Sequence, residues 1–278
     1  MIVAESGTLR KIFVVRRDGR DWQRLTNLQG SESDASFCAP LGCVFFARQH
    51  QANWELARWD LSERKCTWVH CHAGSDRQPQ ASPDGSQLAF VSDRFGGEEL
   101  FLLDLNQPGE ARRLTFDQGK SVSPQWSPDG RQLTYSNRRN GQSDLYLLDL
   151  SSGQETRLTA SDEDEVDPRW SPDGKKLLFQ VAKGRYSRGH LHIMELATRQ
   201  INELEVSLLE SEHAATWSPD GQHLAYLNYH SPRSPSSPAL MSCDLNGQGE
   251  PLTLFRRDSM RTHWSYRQLS WLVGWPNL

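Results

Sequence analysis

Four copies of one tetrapeptide govern what this chain can fold into. Ser-Pro-Asp-Gly begins at Ser82, Ser127, Ser171 and Ser218, in steps of 45, 44 and 47 residues. After two intervening residues each copy runs into an apolar stretch: Leu88-Ala89-Phe90, Leu133-Thr134-Tyr135, Leu177-Leu178-Phe179 and Leu224-Ala225-Tyr226. Three copies follow directly on a tryptophan, Trp126, Trp170 or Trp217. A period of this length marks a repeat architecture, in which one small unit cannot bury its apolar face alone and stacks on its neighbours.

Each unit reads the same way. A short strand ends in Trp, and Ser-Pro-Asp-Gly makes a tight turn, Pro presetting φ and Gly accepting a positive φ. A second strand follows, then a polar loop and a third strand such as Leu100–Leu105 or Leu145–Leu150. A turn leads to a fourth strand that ends in Arg-Leu-Thr, as at Arg113–Thr115 and Arg157–Thr159. Leu145-Tyr146-Leu147-Leu148 does not alternate apolar with polar, so the strand is covered on both faces. Four-stranded sheets stacked around an axis cover both faces of every sheet, which is a β-propeller. Two stacked sandwiches would leave one face of each strand wet and would alternate.

The worn ends set the expected number of blades. Cys38-Ala39-Pro40-Leu41-Gly42 stands one period before Pro83 and reads as a degraded turn. His263-Trp264-Ser265-Tyr266 stands one period after Trp217, with Leu269–Leu272 as a further strand. Ahead of the first unit lies only half a repeat: Ile12–Val15, a turn at Asp18-Gly19, then Arg24-Leu25-Thr26. The expectation is one all-β domain over 1–278, a six-bladed propeller of four-stranded antiparallel blades. Whole blades are expected over about 33–70, 76–116, 121–160, 165–205 and 212–255. A composite N-/C-terminal blade, 8–27 with 261–275, would close the ring and remove two sheet edges.

The combined pattern is Pro-x-Trp-Ser-Pro-Asp-Gly, Leu-x-(Phe/Tyr)-x-Ser-x-Arg, a Leu-Tyr-Leu-Leu-Asp-Leu strand and Arg-Leu-Thr. It resembles the TolB-type, WD-like propeller repeat over residues 8–275, with full copies from Pro79, Pro124 and Pro168. The resemblance implies the fold more sharply than a function, because one fold hosts many activities. TolB itself is a periplasmic partner-binding propeller. Similar repeats gate prolyl-oligopeptidase-type hydrolases, and others form oligogalacturonate lyases with a His-rich metal site. This chain shows no export signal, extra N-terminal domain or hydrolase domain, and no Gly-x-Ser-x-Gly elbow. The expected blade number differs from that of the lyases, so none of their catalytic residues carries over.

Charge and hydropathy narrow the partners. With 31 Lys+Arg against 35 Asp+Glu the chain has no basic excess, which argues against a nucleic-acid partner. Apolar runs such as Leu100-Phe101-Leu102-Leu103 fall far short of the ~18 residues that span a bilayer, which argues against a membrane. The start, Met1–Gly7, has neither a basic nor an apolar leader region, so a cytoplasmic location and a monomer are expected. Five cysteines, an odd number, read as buried thiols in a reducing compartment. Cys66 and Cys71 with His70 and His72 match no common zinc spacing.

Function is expected where the repeats differ. The turn aspartates Asp84, Asp129, Asp173 and Asp220, the Trp column, and Arg94 and Arg138 of Ser-x-Arg belong to the scaffold. Links between blades and loops between second and third strands share one face, at the mouth of the central channel. Residues breaking the repeat there are His70, His72, Arg77, Asp164, Asp167, His213, Arg261 and His263. They form the candidate binding set for a peptide, a protein or a polar small molecule. No cofactor is firmly implied. A divalent metal or an acid/base pair at His70, His72 and His213, with Asp164 or Asp167, is the sharper reading. Scattered surface histidines are the plainer one. The acidic run Asp162–Asp167 reads either as a solvated loop or as a dock for a basic peptide or hard cation. His190 and His192, two apart in a third strand, read as packing residues. The Ser/Pro-rich segment His230–Pro238 reads as an extended lid.

Overall fold

In the computed structural model the described residues are 10–14, 23–107, 109–116, 119–139, 141–182, 189–204, 211–229, 239–245 and 252–255. They are strands, turns and links, with no helix among them. A two-stranded ribbon, β1 (Phe13–Val14) and β2 (Gln23–Arg24), precedes five four-stranded sheets. Blade 1 comprises β3 (Glu32–Cys38), β4 (Cys43–His50), β5 (Asn53–Asp60) and β6 (Lys65–His70). Blade 2 comprises β7 (Asp76–Ala81), β8 (Gln87–Ser92), β9 (Glu99–Asp104) and β10 (Arg112–Arg113). Blade 3 comprises β11 (Ser121–Trp126), β12 (Gln132–Asn137), β13 (Asp144–Asp149) and β14 (Glu155–Arg157). Blade 4 comprises β15 (Asp164–Trp170), β16 (Lys176–Ala182), β17 (Gly189–Glu195) and β18 (Ile201–Glu203). Blade 5 comprises β19 (Ser211–Trp217), β20 (His223–Tyr229), β21 (Ala239–Asp244) and β22 (Leu252–Phe255).

Every blade is antiparallel with its strands in chain order. The first strands touch in succession, β3 to β7 to β11 to β15 to β19, and form the inner wall. The propeller class is as the repeat implies, but the blade count differs from the expected six. Five complete blades are present, and β1–β2 is a ribbon of two short strands. The partner expected to complete it, 261–275, lies outside the described residues.

The apolar runs explain the stacking. In β16, Leu177, Phe179 and Val181 pack with Leu145 and Leu158 of blade 3, while Leu178 between them packs with Trp217, Leu224 and Tyr226 of blade 5. In β4, Val44 and Phe46 meet Ile12 and Leu25 of the ribbon segment, and Cys43 and Phe45 meet Leu88, Phe90 and Phe101 of blade 2. A strand between two neighbours therefore has no wet face, which is why Leu145–Leu148 shows no period of two. Each such fully buried side chain contributes about 1.5–3 kcal/mol.

The repeated polar signatures are the joints of this stack. In each Ser-Pro-Asp-Gly turn the Ser hydroxyl donates to Asp Oδ1, at 2.5 Å for Ser82–Asp84 and 2.6 Å for Ser127–Asp129 and Ser171–Asp173. The same carboxylate accepts the amide after the glycine, for example Arg131 N at 3.1 Å. These bonds, the serine's first, hold the carboxyls of Asp84, Asp129 and Asp173 below their ordinary value. Gly130 sits at φ +71°, and a Cβ there would touch Pro83 of the preceding turn at 3.6 Å, so successive turns form a contiguous ring. The indole N–H of Trp126 donates to Gln80 O at 2.8 Å, and that of Trp217 to Arg169 O at 3.0 Å. Trp126 and Trp217 thus staple their inner strands to the blade before, whereas the buried Trp170 indole N–H has no hydrogen-bond partner among the described residues. Arg-Leu-Thr clamps buried carboxylates: Arg113 reaches Glu99 at 3.1 Å, Thr115 donates to the same group, and Arg157 reaches Asp144 at 2.7 Å.

Candidate functional site: the central channel

All five inner strands carry the same irregularity. Their register with the second strand slips between Ser33 and Ser36, Arg77 and Gln80, Val122 and Gln125, Val166 and Arg169, and His213 and Thr216. Inside each slip one residue is left-handed: Asp34 (φ 56°), Gln78 (52°), Ser123 (56°), Asp167 (55°) and Ala214 (50°). None is glycine, so each position costs roughly 1 kcal/mol or more of backbone strain. A β-bulge re-aims the side chain at its apex. Here the five bulge residues all line one cavity of about 490 Å³ on the axis.

The bulge residues are tied blade to blade. Ser36 of blade 1 bonds Gln80 Oε1 of blade 2 at 3.0 Å. The Ser123 amide of blade 3 donates to Gln78 Oε1 at 2.7 Å, and the Ser123 hydroxyl donates to Asp167 Oδ1 of blade 4 at 2.6 Å. Asp167 N in turn donates to Ser136 Oγ of blade 3 at 3.2 Å. The strain at the bulges is offset by these inter-blade bonds, and the belt is polar where an ordinary core would be apolar.

Charged side chains complete the cavity. Glu98 and Lys120 pair at 3.3 Å at the mouth, on the face of the inter-blade links. Arg77, one residue before its bulge, lies over the Trp54 ring at 5.0 Å, and Arg10 lies over the same ring at 5.9 Å. Arg169, two residues past its bulge and so nearer the turn face, lines the deeper level. Its residual exposure is to the channel, and burial pulls its pKa down against the nearby Asp167 carboxylate.

Of the eight residues singled out by sequence, Arg77 and Asp167 line this cavity. His70 instead ends β6, where its Nδ1 bonds the buried Asp76 at 2.9 Å. Arg94 grips the same carboxylate at 2.9 and 3.0 Å. Burial would raise Asp76, but the bonds from His70, Ser92 and Arg94 outweigh it and hold its pKa below the ordinary value. This is a joint between blades 1 and 2, and it gives Arg94 of Ser-x-Arg its purpose. His72 is exposed, its ring parallel to that of His70 with centroids 6.3 Å apart. Asp164 starts β15, accepts Ser143 N at 2.7 Å and lies 3.7 Å from Arg138. His213 is in β19 opposite Leu227, one residue before the bulge. Arg261, His263 and the segment 230–238 lie outside the described residues. No group of three or more His, Cys, Asp or Glu suited to a metal occurs among the described residues.

The acidic run is also not a simple loop. Its second half is strand, and Glu165 is buried, accepting a bond from Ser161. Burial raises the Glu165 pKa, the Ser161 and Thr159 hydroxyls acting the other way.

Sequence reasoning missed Arg169, because it sits inside Pro168-Arg169-Trp170 and looked like part of the repeat. The signal was present: the corresponding positions in the other blades are Ser36, Gln80, Gln125 and Thr216, all uncharged.

A family model of the TolB beta propeller domain matches residues 50–267. The chain belongs to the TolB β-propeller family. The putative TolB from Agrobacterium tumefaciens superposes with a TM-score of 0.75 at 21% identity, over 91% of this chain and 89% of that one. TolB from Acinetobacter baumannii gives 0.76 at 20% identity, over 94% of this chain and 65% of that one. An oligogalacturonate lyase in complex with manganese gives 0.63 at 14% identity, over 90% and 72%. At such identities the likeness is one of fold. No curated protein sequence matches the chain.

Proposed function

We propose that this TolB-like propeller is a binding module that takes a peptide, a protein segment or a small polar ligand into the mouth of its central channel. One observation carries the reading: five equivalent left-handed bulges, none of them glycine, aim Asp34, Gln78, Ser123, Asp167 and Ala214 at one cavity. Scaffold needs alone would be met by glycine at those positions. The volume falls within the ~300–1,000 Å³ of small-ligand pockets, and the lining is polar enough to orient a guest. Equilibrium dialysis of mixed peptides and polar metabolites against wild type, Gln78→Ala and Asp129→Ala tests it. Retention lost with Gln78→Ala and kept with Asp129→Ala supports the reading, and the reverse pattern defeats it.

Two finer points go with it. The ring is proposed to close with a sixth, composite blade. Supporting this, β19 and β3 are not in contact among the described residues, and the ribbon segment packs its Ile12 and Leu25 on the outer face of blade 1 as a neighbouring blade would. Deleting 262–278 should then abolish cooperative melting, and unchanged melting would remove the sixth blade. A reducing, cytoplasmic location fits the five free cysteines, of which Cys38 and Cys43 face each other across strands as thiols. No helix among the described residues is long and apolar enough to cross a membrane. The alternative is a lyase or hydrolase acting on a carbohydrate or other polar small molecule at a His/carboxylate site on the same face, for which the cavity lining supplies the carboxylates of Asp34 and Asp167. His70 is committed to Asp76, whereas His213 holds the place in β19 that the cavity-lining Arg77 holds in β7.

A further inference from the structure

Arg169 is a charged group the fold does not use. A guanidinium has five N–H donors. Among the described residues Arg169 spends one, on Pro168 O at 3.2 Å. Among the described residues it forms no ion pair, although Asp167 acts on it through space. Of the three carboxylates in the cavity lining, Asp167 accepts the Ser123 hydroxyl through Oδ1, Glu98 pairs with Lys120, and Asp34 is not ion-paired with Arg169. Enclosing a cation without a partner is costly, and four other blades manage the same position with Ser, Gln, Gln and Thr. Packing therefore does not explain the arginine. A second donor group points the same way. The Ser123 amide must bond the oxygen of the Gln78 carboxamide, which leaves the Gln78 NH2 without a bond to any described residue.

We propose that the channel holds a carboxylate on the Arg169 guanidinium, with the free NH2 of Gln78 as a further donor to the guest. The proposal rests on the channel-binding reading and names the chemistry of its ligand. A planar fork of parallel N–H groups matches a carboxylate. A dianion such as phosphate is disfavoured by the neighbouring Asp167. Arg77, stacked on Trp54 and free of ion pairs among the described residues, favours approach of a negative group through the mouth. The carboxylate belongs either to the end of a peptide chain or to a free organic acid.

The test uses three probes with the full chain: a degenerate tetrapeptide pool lacking Asp and Glu with free C-termini, the same pool amidated, and a set of small mono- and dicarboxylic acids. Each is titrated calorimetrically into wild type, Arg169→Gln and Gln78→Ala. Arg169→Gln copies blades 2 and 3, so it should fold and, without ligand, melt no lower than wild type. Binding of the free-acid pool or of the organic acids should weaken roughly ten- to hundred-fold in Arg169→Gln. Preference for the free-acid over the amidated pool identifies a chain terminus, and binding of the small acids alone identifies an organic acid. Equal binding of both pools, unchanged in Arg169→Gln but weakened in Gln78→Ala, overturns the carboxylate while the channel reading survives. No binding of any probe overturns both. Failure of Arg169→Gln to fold would make the guanidinium structural and overturn the carboxylate as well.

Discussion

The turn ring and the channel belt are built from the same backbone device and use it differently. Both place one left-handed residue in every repeat. At the turns it is always glycine: Gly85, Gly130, Gly174 and Gly221, at φ +75°, +71°, +71° and +68°. In the channel it is Asp, Gln, Ser, Asp and Ala at nearly constant φ. Identical residues at identical geometry are what a structural joint needs. Different residues at identical geometry, with the strain retained, show a backbone held constant while its side chains are free to answer to something else. The turn end supplies the frame, and the channel supplies the differences among blades.

Substitution at the turns should have the larger effect on folding. Gly174→Val puts a branched side chain at φ +71° and is expected to cost about 1–3 kcal/mol, read by urea unfolding. Affinity of the folded fraction for any channel ligand should not change. If stability is untouched, the turns are not the frame.

Arg169→Gln should do the opposite, gaining about 1 kcal/mol in the unligated protein as an unpaired cation leaves the channel, while binding falls. A thermal melt alongside the titration reads both. A loss of stability would place Arg169 in the frame with the turn aspartates and erase the contrast. Smaller still, Ala214→Gly relieves left-handed strain at a bulge residue with no side-chain bond to lose. A gain of a few tenths of a kcal/mol is expected, because the extra freedom of glycine in the unfolded chain offsets most of the relief.

Acid titration sharpens the same division with the smallest effects. The turn carboxyls of Asp84, Asp129 and Asp173 lie below their unfolded value of 3.8, so the stability they contribute is present above it and is lost as pH falls through the folded values. They are exposed, and solvent screening keeps each contribution small. Glu165, beside the belt, is raised above 4.5 by burial and has the reverse sign: its contribution is present at low pH and fades as pH rises through the folded value. Glu165→Gln should therefore gain stability over wild type as pH rises through the folded value, with the gap closing on acidification toward the ordinary carboxyl range. A gap that widened on acidification would contradict this environment for Glu165.

The same contrast explains what could be read in advance. Ser-Pro-Asp-Gly is local chemistry, four adjacent residues whose bonds close within the turn, so the turns and the doubly buried strands around them were legible as a propeller. The bulges are not local. Gln78 and Ser123 gain their meaning from a bond between blades, and a period-two reading of a strand cannot say where its register slips. The residues that visibly break the repeat include histidines expected in loops. One of them, His70, is a joint between blades, and His72 lies beside it, while Arg169 stood unnoticed between Pro168 and Trp170. Arg77 and Asp167 were reachable because they visibly broke the repeat. The blade count was read from worn ends, and the ends are where turn chemistry is weakest.

The most direct measurement is amide chemical-shift mapping of the deuterated chain on addition of the peptide and organic-acid probes. Shifts are expected at the bulge segments 33–36, 77–80, 122–125, 166–169 and 213–216. The turns 82–86, 127–131, 171–175 and 218–222 should stay in place. Shifts concentrated in the four turns, with the bulge amides unmoved, would show that the ligand meets the frame and that the channel belt is not the site.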